Sequence, residues 1–103
     1  MTFRVLLRMQ IRPGMGEEFE KSWHELGGTV TGNPANLGHC LARSTEDDDV
    51  YFIVSDWLDE PRFREYEHSR EHVVHRERLH PFRLGGSMET MRMVYDVEGA
   101  AKR

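Results

Sequence analysis

From Phe3 to Arg12 the chain alternates without a break, with Phe3, Val5, Leu7, Met9 and Ile11 on one side and Arg4, Leu6, Arg8, Gln10 and Arg12 on the other. Side chains of a strand point alternately to its two faces, so this segment is a strand with one greasy face that must be covered. Pro13 and Gly14 punctuate it. The period then changes. Met15, Phe19, Trp23, Leu26 and Val30 recur at three and four residues, the spacing of one helical face, and predict a helix from about Gly16 to Gly27.

The same two periods organise the rest of the chain. Gly32 to Asn36 reads as a loop, and Leu37 to Ser44 alternates large with small residues as a second strand. An acidic turn, Thr45 to Asp49, reverses the chain into Val50–Trp57 (VYFIVSDW), so the second and third strands form an antiparallel hairpin. That strand ends in an indole and passes at once into a charged amphipathic stretch. Asp59 is placed to cap a helix and Pro61 to sit in its first turn, with one continuous helix predicted to about Leu79. His80, Pro81, Phe82 and the pair Gly85 and Gly86 end it, and Met88 to Val97 supplies a last strand. The order strand, helix, strand, strand, helix, strand is that of a ferredoxin-like α+β split arrangement, an antiparallel sheet with two helices on one face. Its bare face needs a cover, most simply the same face of a second copy in a homodimer.

Length and charge narrow the function classes. A chain of 103 residues fits a single domain with a modest core. Fourteen Lys and Arg against 18 Asp and Glu leave a net charge of -4, with no excess of cations to displace counterions from phosphate, so nucleic acid is not expected as a partner. No apolar window approaches the roughly 18 to 20 residues that span a bilayer, so neither is a membrane. Cys40 is the single cysteine, and the first residues (MTFRVLLRMQ) hold no continuous apolar core of a leader. A cytoplasmic, reduced protein is the expectation.

On a helical wheel Phe63, Tyr66, Arg70, Val73, Val74 and Glu77 share the side of the second helix that should meet the sheet. Tyr66 and Arg70 are then polar members of an apolar stripe: either a satisfied core phenol beside a snorkelling guanidinium, or two groups lining a pocket. Trp57, at the junction of strand and helix, is either packing or a cavity wall. The methionines of the last strand (Met88, Met91, Met93), with Phe52 and Phe63, could line a soft pocket for a flat aromatic ligand. Among the six histidines, His68, His72 and His75 fall on the opposite side of the wheel, interleaved with Glu71 and Arg76, and read as a solvated face rather than a metal site. His39 lies on the large-residue face of the second strand, either a core imidazole or one turned into a site. The glycines follow no phosphate-loop or dinucleotide pattern, and no tightly held nucleotide, flavin or metal cofactor is expected.

The block Asn33-Pro-Ala-Asn-Leu-Gly to Leu41-Ala-Arg-Ser, then Val50 to Trp57, then Tyr66, Ser69 and His72, resembles the antibiotic biosynthesis monooxygenase family. The likeness extends from Phe3 to Val97 and is nearest to small members from aromatic polyketide pathways. It implies a dimeric α+β barrel that oxidises a phenolic or anthrone-like substrate with molecular oxygen, without metal or flavin. The roles it implies are Trp57 as cavity wall and orienting group, Tyr66 as hydrogen-bond partner of the substrate oxygen, and His39 as candidate base. Phe63, Arg70 and Phe52 would hold the ring and its anion. Two departures stand out. The helix position of Tyr66 is often His in that family, and an Asn commonly accompanies the Trp, four residues before it or in the first strand, where this chain has Ile53 and Leu7. These losses weigh against the haem-degrading branch and leave a polyketide cyclase or a non-catalytic accessory subunit as alternatives.

Overall fold

The computed structural model describes residues 2–101. Its elements are β1 (Phe3–Ile11), α1 (Gly16–Thr31), β2 (Asn36–Arg43), β3 (Val50–Trp57), α2 (Glu60–Glu67), α3 (Arg70–Leu79), a 3-10 turn (His80–Phe82) and β4 (Arg83–Arg92). The four strands form one antiparallel sheet in the order β2-β3-β1-β4. This is the ferredoxin-like α+β arrangement expected from the sequence, with one helix more. No helix among the described residues is long and apolar enough to cross a membrane.

The alternation in β1 sets which face carries the core. Phe3, Val5, Met9 and Ile11 are buried, and register places Phe3 opposite Trp57, Leu7 opposite Ile53 and Met9 opposite Tyr51, so the odd-numbered residues of both strands share the helix-covered face. Phe19 and Val30 of α1, Phe63 and Tyr66 of α2 and Leu79 close over them. The even-numbered face holds half-buried Leu6, Phe52 and Val54 and exposed Cys40, Ala42 and Met91. Arg4 and Asp56 clasp across it, Arg4 Nε and Nη2 donating to the two carboxylate oxygens at 2.8 and 2.9 Å.

The second predicted helix is two helices. Asp59 caps α2 as expected, its Oδ1 accepting from the Arg62 N–H at 3.0 Å. The helix then stops, because Ser69 adopts extended backbone (φ -75, ψ 158) and serves both ends of the break. Its hydroxyl donates to the Tyr66 carbonyl at 2.6 Å and accepts from the His72 N–H at 3.3 Å, satisfying one orphan group of each helix. The break restarts the helical count. His75 is buried and His72 half-buried, whereas Arg70 and Glu77 are exposed and Val74 is 48% exposed. The wheel drawn for one continuous helix is therefore inverted over this segment. Ser69→Ala removes the cap and is expected to cost about 1 kcal/mol of stability in urea unfolding.

The last strand begins five residues earlier than predicted, because the 3-10 turn through Pro81 ends at Phe82 and Gly85 and Gly86 pair within the sheet. Gly86 is required there by close approach: a Cβ would stand 2.4 Å from the Arg8 carbonyl oxygen. Helix α1 runs on to Thr31, past the Gly27 end that its composition suggested.

Candidate active site

A cavity of about 260 Å³ lies between the covered face of the sheet and the helices. Val5, Leu7 and Met9 of β1, Ile53 and Ser55 of β3 and Met88 of β4 make its floor. Trp23 and Val30 of α1, Phe63 and Tyr66 of α2, and His72, His75 and Leu79 of α3 enclose it. Leu7 and Ile53, where the family resemblance anticipates Asn, face each other on that floor, which is therefore apolar at its centre. Hydrogen-bonding capacity comes instead from the helices and from Ser55 and Arg83 of the flanking strands.

Three buried side-chain polar atoms lack a hydrogen-bond partner among the described residues: Tyr66 Oη, His75 Nδ1 and Arg83 Nε. All three residues line this one cavity. Each such group left unpaired costs roughly 1–3 kcal/mol, and natural cores rarely accumulate them without reason. All three therefore face one hollow, where they are placed to hydrogen-bond whatever polar group enters it.

Burial sets their protonation. The Tyr66 hydroxyl, 6% exposed as a residue, is pushed up to about 12 by burial and then by the Glu71 charge. His75 is pushed down to about 4 by burial, reinforced by His72 and His39. His72 is also lowered, by burial first and the Arg76 charge second, against the opposing pull of Glu67. At neutral pH Tyr66 is thus a protonated phenol, and His72 and His75 are held toward their uncharged forms. The Tyr66 and His72 rings meet edge to face at 5.1 Å between centroids.

Of the residues that the sequence reading put forward, Phe63 and Tyr66 line the cavity. Trp57 is one layer behind: it is 1% exposed, packs on Tyr66 at 4.9 Å and Phe63 at 5.5 Å, and donates its Nε1–H to Ser55 Oγ at 3.0 Å. It backs the wall rather than forming it. His39 is outside the cavity. Its strand is at the sheet edge, so the imidazole falls under α1, packed at a tilt on Trp23 with 4.7 Å between ring centroids and against Gly27. Phe52 is on the opposite face, paired with Arg8, because strand parity separates it from Trp57. Arg70 is exposed, turned outward by the break at Ser69. Met91 pairs with Arg4 on the far face and only Met88 of the three methionines lines the hollow.

Sequence reasoning passed over His72, His75, Ser55 and Arg83. For the histidines a signal existed: a Ser within a helical pattern three residues before His72 is a cap, and restarting the wheel there turns His72, His75 and Leu79 inward. For Arg83 none did, since the strand was placed beyond it. Among the described residues no three His, Cys, Asp or Glu side chains assemble in a way that could hold a metal ion.

The family model for antibiotic biosynthesis monooxygenase matches residues 2–78. A haem oxygenase (mycobilin-producing) from Mycobacterium tuberculosis is 27% identical over 95 residues, covering 91% of this chain and 90% of that protein. Among solved structures, SnoaB, a cofactor-independent oxygenase from Streptomyces nogalater, superposes with a TM-score of 0.83 at 17% identity, covering 95% of this chain and 98% of the other. A conserved protein from Methanosarcina mazei gives 0.81 at 15% identity, covering 89% and 92%. At these identities the structural likeness speaks for the fold.

Proposed function

Because the chain belongs to the antibiotic biosynthesis monooxygenase family, we propose that it oxygenates a phenol- or anthrone-like molecule with molecular oxygen inside the cavity between sheet and helices. The observation that carries this reading is the pair of unsatisfied groups, Tyr66 Oη and His75 Nδ1, on the wall of an apolar hollow. The protein's own task is then small. Tyr66 donates its hydrogen bond to the substrate oxygen, and His75 takes the proton that leaves the substrate. The developing anion beside His75 raises the imidazole's affinity for that proton, so a base that is weak in the empty cavity strengthens when the substrate is present. The electron-rich anion supplies an electron to oxygen directly. For an anthrone the sum is one oxygen atom on the carbon and loss of two hydrogens with the other oxygen as water. The apolar floor keeps solvent from the anion in the meantime.

The reading is tested by mixing the pure protein with anthrone under air. Oxygen uptake with quinone formation is expected. Unchanged oxygen with a new ring formed from a poly-ketone substrate would make the protein a cyclase of the same fold. No turnover of either, with tight binding retained, would make it an accessory binding subunit.

The mycobacterial relative raises haem as a substrate. The site fits it poorly. A cavity of about 260 Å³ is under the roughly 300–1,000 Å³ that houses drug-sized ligands, and a tetrapyrrole is larger still. Titration with haemin is expected to leave the Soret band unshifted, and a saturable shift would move the substrate to haem.

The even-numbered face of the sheet, with Phe52 and Val54 half-buried beside exposed Met91, is proposed to pack on the same face of a second copy. Sedimentation at micromolar concentration is expected to give a species of twice the chain mass.

A further inference from the structure

The third unsatisfied atom of the cavity is not used by the chemistry above. Arg83 opens β4 opposite Ile11, on the helix-covered face. Its guanidinium folds along the strand over Gly86: a Cβ on that glycine would stand 3.1 Å from Arg83 Nη2 and 3.3 Å from Nε. Gly86 in turn pairs with Met9 of the cavity floor. A missing side chain on the strand therefore makes the seat for the guanidinium, and the seat opens on the hollow.

Held there, the Arg83 guanidinium has no hydrogen bond or ion pair with any described residue, and its Nε is buried. A guanidinium does not shed its proton in proteins, so the cost of the buried Nε–H is relieved only by an acceptor. Its N–H groups need an acceptor, and an anion is the one that offsets both the desolvated donor and the charge. The surroundings agree. Arg76 also lines the cavity, and the one acidic residue that lines it, Glu67, already accepts from Arg64 Nη1 at 3.1 Å. In a chain of net charge -4 this is a locally cationic hollow.

The geometry points to a substrate that bears a carboxylate, held by Arg83 in a charge-assisted pair at the β4 end while its ionisable oxygen reaches Tyr66 and His75 at the helix end. This rests on the oxygenase reading and specifies its substrate class: a flat aromatic acid rather than a neutral phenol. The apolar floor separates the two polar ends, so a ligand must carry both groups, set apart by a ring system, to satisfy all three orphan atoms.

The test compares anthrone with anthrone-2-carboxylate on the full chain. Dissociation constants are read under nitrogen by quenching of tryptophan fluorescence, since Trp23 lines the cavity, and oxygen uptake is read under air. The carboxylate is expected to bind on the order of tenfold to a hundredfold tighter, the range of a hydrogen bond to a charged group. Arg83→Met should abolish that preference and leave the affinity for anthrone unchanged, which also shows that the variant is folded. Should Arg83→Met lose anthrone as well, Arg83→Gln takes its place in the same comparison. Equal binding of the two ligands to the native chain, or a preference that survives loss of the guanidinium, overturns the anion site, and oxygen uptake with anthrone in that case leaves the oxygenase reading standing. A preference that disappears with Arg83 but comes without oxygen uptake supports the anion site and removes the oxygenase reading. If neither ligand binds, both fall.

Discussion

Tyr66→Phe is expected to lower kcat/KM for the oxygenated substrate by about a hundredfold to a thousandfold, the cost of removing one preorganised donor from a developing oxyanion. The same change should leave the midpoint of thermal unfolding where it was or raise it. Ordinarily a buried tyrosine loses stability when its hydroxyl goes, because the partner is stranded. Here the hydroxyl has no partner among the described residues, so its removal relieves a desolvation cost of roughly 1–3 kcal/mol and strands nothing. The ring remains to pack on Trp57 and His72. Steady-state oxygen consumption and a melting curve on the same preparation check both halves. Loss of activity with an equal loss of stability would show that the phenol serves the core, and unaltered activity would remove Tyr66 from the chemistry.

His75→Leu is expected to reduce turnover by about a hundredfold to ten-thousandfold, as for loss of a general base, and to change how the protein responds to acid. The sign follows from the shift. His75 takes up its proton near 4 in the folded chain and near 6.5 when unfolded. Above pH 6.5 neither form is protonated and stability is at its full value. Between 6.5 and 4 the unfolded chain binds a proton that the folded chain refuses, so stability falls as the pH falls, by roughly 3 kcal/mol once both have titrated. His72, lowered in the same direction, adds to the trend. Urea unfolding from pH 7 to 4 should show a shallower decline in His75→Leu than in the native chain. Parallel curves for the two proteins would mean that the imidazole is not held in its neutral form.

The scaffold was legible because β1 alternates over its whole length and α1 shows a helical period, so the order of elements and the greasy face of β1 could be read from the pattern. The site was harder to read, and each error has a local cause. Phe52 was assigned to the pocket on its chemistry, although it is an odd number of residues from Trp57 and a strand must put the two on opposite faces. Arg70 and the histidines were placed by a wheel that assumed one helix, and a single serine resets it. His39 was rightly read as facing the helices, but sequence does not say which helix covers an edge strand, and α1 proved to be the one. Trp57 was placed at the right corner of the fold and one layer too near the cavity, since an indole buried behind a tyrosine leaves no mark in the pattern that differs from one in front of it. Arg83 depended on a strand boundary that no periodicity marked.

Ser69 ties the carbonyl of Tyr66 to the amide of His72 through one oxygen atom. Donor and proton acceptor are carried by two short rods whose elbow angle that oxygen fixes. Straightening the elbow into one rod would swing the imidazoles out to water while every strand pairing stayed intact. A related chain could therefore share this scaffold closely and lack its reactivity, and the residue at the elbow is the place to look when sorting one kind from the other.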